Sequence, residues 1–473
     1  MSGNDLAGAR VLVMGVGRRA GGVGAIRYAL DAGAQVRVTD RADPALFAAV
    51  VEEFRGQPVE FVLGRHDEAD FRWADVVIRN PDVGRDSHYL QVAEEHGARV
   101  EMEMTLFLRA CPAPTIGVTG TKGKTTTTML LHEMLRQRWP TTVVAGNMGR
   151  SALARLGDVE PGVPAALELS SFQLEGIGEH HLAPHVAVIT NLHPDHLDRY
   201  PSLVEYGAAK ANVARAQTPD DWAVYPAFDP SVRPLLQDAR ARPVTFADRA
   251  HDGPRTLYVA DDRLRASWDG ETLDLGAADA LPIPGAHNRQ NALAAAGAGL
   301  AVGLDADAIR AGLARFRGVA HRLEPVATIG GVEYVNDSAA TTPEAAAAAL
   351  AAFAGRPIVA ILGGSDKGLD LAPLAAALRR HATQVVLLAG TATGRLRAEL
   401  GDGVAVTGPL DDLHTAVARA AALAPAGGVV LLSPGCASFG LFVDEFDRGD
   451  RFRSEVAALA VGAARRDAAV TPP

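Results

Sequence analysis

The chain of 473 residues is predicted to fold as an α/β protein built from three tandem α/β units. Three observations carry that reading. Short apolar runs alternate with alanine-rich stretches in three successive blocks, the rhythm of parallel strands joined by crossover helices. Two glycine-rich turns each follow an apolar run and lead into a helical stretch. At roughly 100–200 residues per domain, the length itself holds two to four domains. Boundaries are expected to give units at 1–108, 109–319 and 320–473.

In the first block ARVLVMG, AQVRVTD, VEFVLG, ADVVIRN and ARVEMEM read as buried strands, separated by helical segments such as Gly24–Ala32. The first strand runs into Gly15, Gly17 and Gly21, and Asp40 ends the next strand where a ribose-binding acid would sit. Three readings of this turn stay open: a nicotinamide dinucleotide site, a site for the diphosphate of another nucleotide, and a tight turn without a ligand. The stretch 110–114, Ala-Cys-Pro-Ala-Pro, reads as a linker.

The second block opens with TIGVTG and continues into Gly120-Thr121-Lys122-Gly123-Lys124-Thr125-Thr126. Glycines there let main-chain N–H groups turn inward around an anion, and the following helix N-terminus adds partial positive charge. Lys124 can neutralise terminal phosphates and the Thr125 hydroxyl can ligate Mg²⁺. Val118 stands where the longer form of this loop has glycine, so the turn is a tighter variant. A strand-to-helix turn with a surface lysine is the plainer alternative.

Beyond it, Glu168 closes an apolar run, and Asn191-Leu-His193-Pro-Asp195-His196-Leu-Asp198 follows another. Carboxylates and imidazole at strand ends suit a hard cation beside a nucleotide; helix caps and turn formers are the alternative. The histidine spacing and the lack of nearby cysteine argue against zinc. Lys210 lies on a predicted helix among alanines, which hints at partial burial. The third block repeats the rhythm with VEYVND, PIVAILGG, TQVVLLAG and GGVVLLSPG, and with an alanine-rich helix over Pro343–Phe353.

Composition narrows the function classes. Hydrophobic residues make up 48% and charged residues 22%, which argues against wholesale disorder or a coiled-coil rod. The 48 glycines and 28 prolines suggest many loops. With 56 acidic and 46 basic residues the formal charge is −10, against a nucleic-acid coat or a binder of anionic membranes. A phosphorylated ligand remains compatible where positive groups gather locally. Cys111 and Cys436 are too few for a disulfide framework or a thiolate zinc site. No leader-like segment opens the sequence, and the longest apolar run, around Ala292–Leu304, is too short to span a membrane. The expectation is a cytoplasmic protein without nucleic-acid or membrane partners, and a monomer.

Ten short segments stand in order: GTKGKTT, GNMG, ELSSFQLE, NLHPDHLD, YGAAK, GAHNRQNALAA, HRLE, NDSAATTPEA, GGSDKG and LLSPGCASFGLF. Together they resemble the Mur ligase family over nearly the whole chain, most densely from Gly117 to Lys210 and from Gly285 to Arg448. The resemblance implies a Rossmann-like N-terminal unit for a UDP-linked substrate, a central P-loop ATPase unit, and a Rossmann-like C-terminal unit that binds an amino acid and closes. It also implies the reaction. ATP would phosphorylate the carboxylate of UDP-N-acetylmuramoyl-L-alanine, and the amine of glutamate would attack the acyl phosphate. D-glutamate is the expected form and L-glutamate the alternative; a non-catalytic nucleotide-binding protein is the rival from another class. Oxide is a poor leaving group, so phosphorylation is what makes the carboxylate an acyl donor. Positive charge must screen the two approaching anions.

The resemblance further implies ATP, Mg²⁺ as two ions, and a carbamylated Lys210. Its residues carry over as follows. Lys124, Glu168, His196 and Lys210 would be catalytic, with Thr125, Glu168, His196 and Lys210 around the metal. Gly120, Thr121, Lys122, Gly123, Lys124, Thr125, Thr126, Asn288, Asn291, Arg322 and Asp337 would bind ATP. Gly15, Gly17, Asp40, Arg41, Asn147 and Ser170 would bind the UDP substrate, and Thr341, Lys367, Ser438 and Phe439 the glutamate. Ala339 departs from the family pattern where lysine is usual, Phe446 lies one place late in the closing segment, and Asn80-Pro-Asp82 replaces Ser-Pro-Gly.

Overall fold

The computed structural model describes residues 6–17, 21–149, 151–196, 199–278, 281 and 286–470. These form three sheets distributed over two compact units, Met1–Arg317 and Gly318–Pro473. The α/β class and the strand–helix alternation expected from the apolar runs are both present.

The first sheet is entirely parallel. Its five strands lie in the order Val59–Leu63, Gln35–Asp40, Arg10–Met14, Val76–Arg79, Arg99–Met102. Valine and isoleucine fill strands covered on both faces, as their near-continuous burial requires. The order reverses between Arg10–Met14 and Val76–Arg79, which opens a crevice at their carboxyl ends. Gly15 and Asn80 flank it: Asn80 N donates to Met14 O at 2.9 Å.

The second sheet has nine strands, and Thr115–Thr119 lies inside it between Ala165–Glu168 and Val186–Ile189. One hydrophobic core runs continuously from Val11 and Ile26 of the first sheet's layer to Leu167 and Ile189 of the second, so both sheets belong to one unit. The stretch Trp222–Ala277 adds five further strands, the last two pairings antiparallel. The sequence reading did not identify them. Strands such as Glu271–Ala277 expose much of their length and lack the apolar runs that mark buried parallel strands.

In the C-terminal unit six strands run in the order Glu324–Ile329, Val332–Asn336, Val429–Leu432, Ile358–Leu362, Ala382–Leu388, Ala405–Leu410. All pairs are parallel except the first. Apolar clusters cover both faces. No helix among the described residues is long and apolar enough to cross a membrane.

Candidate active site

Three neighbouring strands of the second sheet bring the central residues together at their carboxyl ends. Thr115–Thr119 leads into Gly120, Ala165–Glu168 ends at the carboxylate itself, and Val186–Ile189 leads into Thr190 and Asn191. The loop from Gly120 to Gly123 demands glycine at both ends. Their φ values are +143° and +82°, and a Cβ would lie 1.9 Å from Thr190 Oγ1 or 2.3 Å from Asn291 Oδ1. Neutral side chains brace the loop from outside. Thr190 Oγ1 donates to Lys122 O at 2.7 Å, and Asn191 both accepts from Lys122 N at 2.9 Å and donates to Lys122 O at 3.0 Å. The Thr121 hydroxyl donates to His193 O at 3.1 Å.

The helix Lys124–Leu135 begins on Gly123 and has no side-chain cap at that residue. Some other helices are capped, by Ser170, Ser202, Asp305 or Thr342, while His88–Glu95, Ala372–His381 and Thr393–Leu400 also lack a side-chain cap. Thr125 and Thr126 sit half-buried in its first turn. Uncapped first-turn amides at a glycine turn make an anion site. Asn291 is buried beside Gly123 on the helix Ala286–Ala301 and donates to Asn288 at 3.3 Å. These two asparagines therefore lie at the phosphate loop; the Pro282–Gly285 approach to their helix is outside the described residues.

Two lysines converge on one oxygen. Lys124 Nζ donates to Gly120 O at 2.9 Å and to Thr121 O at 2.8 Å. Lys210, on the helix Leu203–Arg215 and only 1% exposed, donates to the same Gly120 O at 2.9 Å. Its Nζ also lies 4.5 Å from the centroid of the Tyr206 ring. Burial pushes the Lys210 amine down to about 6, and the Lys124 cation pushes the same way against Asp195 and Glu168. Desolvation and a like charge both disfavour a second ammonium here.

Glu168 is 2% exposed. One carboxylate oxygen accepts from Asn147 Nδ2 at 3.1 Å, while the other, Oε2, has no hydrogen-bond partner. A buried carboxylate oxygen left without a hydrogen bond costs about 1–3 kcal/mol, and a cation at that oxygen would offset it. Among the described residues no three His, Cys, Asp or Glu side chains gather into a ready-made cage. A carboxylate, a threonine hydroxyl and an imidazole are donors that would suit a divalent cation beside phosphates. His196 is about half exposed, adopts φ +51°, and packs against Phe172 and Tyr206 at 5.2 and 6.0 Å. Asp195 neighbours it, with Oδ1 accepting from His196 N at 2.9 Å; Asp198 lies outside the described residues.

The residues expected at the UDP substrate divide. Gly15 and Gly17 have φ of +87° and +70° at the first sheet's crevice. Asp40 braces that turn: one oxygen accepts from Val16 N at 2.9 Å, the other from Ala42 N at 2.9 Å. Arg41 follows it, close enough that its charge acts on the His66 imidazole. Asn147 and Ser170 lie on the second sheet instead. Asn147 serves Glu168, and Ser170 caps the helix Ser171–Glu179 in a reciprocal pair with Gln173, so its hydroxyl already has a structural task.

The C-terminal unit shows the same architecture separately. Asp337, Gly363 and Ser433 follow three adjacent strands. Lys367 Nζ donates to Thr341 Oγ1 at 3.0 Å, and both line one depression with Asp366 and Cys436. Ser438 is 2% exposed and its hydroxyl has no partner, whereas Phe439 is 40% exposed. Burial raises Asp337 to about 6; it accepts from Ser433 Oγ at 2.7 Å and lies near the charge of Arg322. Ala339 donates its N–H to His321 O at 2.9 Å, and Phe446 packs edge-on against the His321 ring.

Sequence reasoning missed Thr190 and Asn191 as the braces of the phosphate loop. The usable signal was their place at the end of HVAVIT, beside the strand that carries the loop.

The Mur ligase middle domain matches residues 118–299, and the Mur ligase glutamate ligase domain matches 321–436. A UDP-N-acetylmuramoylalanine–D-glutamate ligase from Roseiflexus sp. (strain RS-1) is 46% identical over 460 residues, covering 95% of this chain and 98% of that protein. The protein of the same description from Symbiobacterium thermophilum is 37% identical over 454 residues, with 95% and 98% covered. The solved structure of a UDP-N-acetylmuramate-alanine ligase from Thermotoga maritima shares the fold with a TM-score of 0.59 at 21% identity, covering 95% of this chain and 99% of that one. Matched along nearly its full length by such relatives, and over both its central and C-terminal regions by the family's domains, the chain belongs to the Mur ligase family.

Proposed function

We propose that the protein is an ATP-dependent ligase that adds D-glutamate to UDP-N-acetylmuramoyl-L-alanine in the synthesis of peptidoglycan precursors. The observation that carries this reading is the convergence of Lys124 and Lys210 on Gly120 O, with the Glu168 carboxylate near enough to act on Lys210. Relatives that cover nearly the whole chain and bear that activity in their names support it. ATP and a UDP-linked sugar are metabolites of the cytoplasm, which supports a cytoplasmic site of action.

In this reading the loop amides and Lys124 hold the phosphates of ATP and withdraw charge from the transferred group. Asn288 and Asn291 border the nucleotide. Thr125, Glu168 and His196 hold Mg²⁺, which when bound screens the repulsion between ATP and the acceptor carboxylate. Burial and the Lys124 charge push the Lys210 amine down to about 6, so a neutral amine would be available there to take up CO₂ with loss of a proton and become a carbamate. The change would place an anion where a second ammonium is disfavoured, close to Glu168. The acceptor carboxylate then attacks the terminal phosphorus, ADP leaves, and the amine of glutamate displaces phosphate from the acyl phosphate. Asp40 and the Gly15 turn hold the UDP end. Lys367, Thr341 and Ser438 take the two carboxylates of glutamate, for which a cation and hydroxyl donors are the suitable groups.

The test is phosphate release from ATP with UDP-N-acetylmuramoyl-L-alanine and each glutamate enantiomer. ADP and phosphate should appear with D-glutamate and far less with L-glutamate. A preference for L-glutamate would reverse the enantiomer, and no ADP with either would end the ligase reading.

A further inference from the structure

The turn Asn80–Val83 at the crevice of the first sheet is held by two arginines. Arg79 is fully buried and reaches Val83 O at 2.8 Å and Glu179 at 3.2 Å. Arg199 comes from the other sheet's layer. Its Nη1 donates to Pro81 O at 3.2 Å and Asp82 O at 3.3 Å, and its Nη2 donates to Glu175 Oε2 at 2.7 Å. The other Glu175 oxygen accepts from the Tyr200 hydroxyl at 2.6 Å.

The same arginine bears on His196 by two routes. Its guanidinium lies 4.1 Å from the centroid of Phe172, the ring that the His196 imidazole meets nearly edge-on at 5.2 Å. Through the main chain, Arg199 N and Tyr200 N both donate to His196 O, at 3.0 and 2.9 Å. His196 itself sits at φ +51°, a conformation that a β-carbon disfavours and that persists only where its surroundings impose it. Arg199 and Tyr200, anchored on Glu175, are part of those surroundings.

We propose that Arg199 is a positioning residue that fixes the His196 turn against the Asn80–Asp82 turn, so that the imidazole is set relative to the UDP-linked substrate. The inference rests on the function proposed above. Arginine suits the task because its planar fork serves two carbonyl oxygens and a carboxylate at once while its face covers an aromatic ring. A lysine ammonium is a compact donor that keeps at most part of that set. The carbonyls on the Asn80–Asp82 side are main-chain groups, so the link is cut cleanly only at Arg199 or at Glu175.

The experiment compares the wild type with Arg199→Lys, Arg199→Met, Glu175→Gln and the Arg199→Met/Glu175→Gln double variant, all in the full chain. Steady-state kinetics and thermal melting are recorded for each. A misplaced group is expected to cost Arg199→Met about 100-fold in kcat, and Arg199→Lys about 10-fold. KM for ATP should stay within about twofold, because the phosphate loop is untouched. The double variant should be no slower than Arg199→Met alone, since both changes cut one network. Melting temperatures of the single variants should stay near that of the wild type. Wild-type kcat in Arg199→Met, additive losses in the double variant, or a loss that only tracks the unfolded fraction would each overturn the inference. An inactive wild type would instead count against the proposed function.

Discussion

The turn after Arg10–Met14 and the turn after Thr115–Thr119 share a plan. Each carries glycines at positive φ, leads into a helix, and sits at the carboxyl edge of a sheet inside the same unit. They differ in what braces them. At the first, the Asp40 carboxylate takes the Val16 amide, so a donor is spent and an anion stands at the turn. At the second, Thr190, Asn191 and Asn291 brace the loop without charge, and two lysines point at Gly120 O. A curve of main-chain amides is thus common to both, and the charge of the groups around it separates them. Under the function proposed above, the first would take the UDP end of the substrate and the second the triphosphate of ATP.

Lys124→Met breaks this contrast most directly. It should lower kcat by about 10³-fold, as loss of a charged donor to the transition state does. Binding of the UDP-linked substrate, measured by calorimetry, should be unchanged. Equal losses at both sites would mean the turns do not divide the two ligands as described.

The glycines give a second, smaller test. Alanine at Gly120 places Cβ 1.9 Å from Thr190 Oγ1, while alanine at Gly15 meets Asn80 Cβ at 2.9 Å. Each also bears a backbone cost of about 1–3 kcal/mol. Gly120→Ala should therefore melt lower than Gly15→Ala and raise KM for ATP, whereas Gly15→Ala should raise KM for the UDP substrate alone. The opposite order of melting temperatures would refute the steric argument.

The smallest effect is a pH slope. Lys210 is lowered in the fold to about 6 from 10.5. Between those values the unfolded chain binds the additional proton, so this residue makes the folded state gain stability as pH rises and lose it as pH falls towards 6. In bicarbonate-free buffer Lys210→Met should flatten the rise of melting temperature between pH 6.5 and about 9. An unchanged slope would show that the lysine keeps its proton in the fold.

Much of this was legible in the amino-acid order. ARVLVMG, TIGVTG and PIVAILGG are strands because β-branched residues run unbroken where both faces are covered, and Gly120–Thr126 declared its own turn. Other features were not legible. The last strand of the stretch Trp222–Ala277, Glu271–Ala277, is largely exposed or half-buried, so its apolar signal is weak. The helix-cap role of Ser170 was not legible, because a serine hydroxyl has the same chemistry as a cap and as a ligand group.

The order of residues alone determined the three-sheet α/β class, the position of the phosphate loop and the identity of Lys124, since each depends on neighbours within a few positions. Only the tertiary structure decided that Lys210 lies against Gly120 O, that Glu168 keeps one oxygen unpartnered, and that Arg199 reaches Pro81 and Asp82. The Lys210 and Arg199 contacts join groups 90 to 118 positions apart. Burial and like charge then act through space on partners that local sequence does not specify.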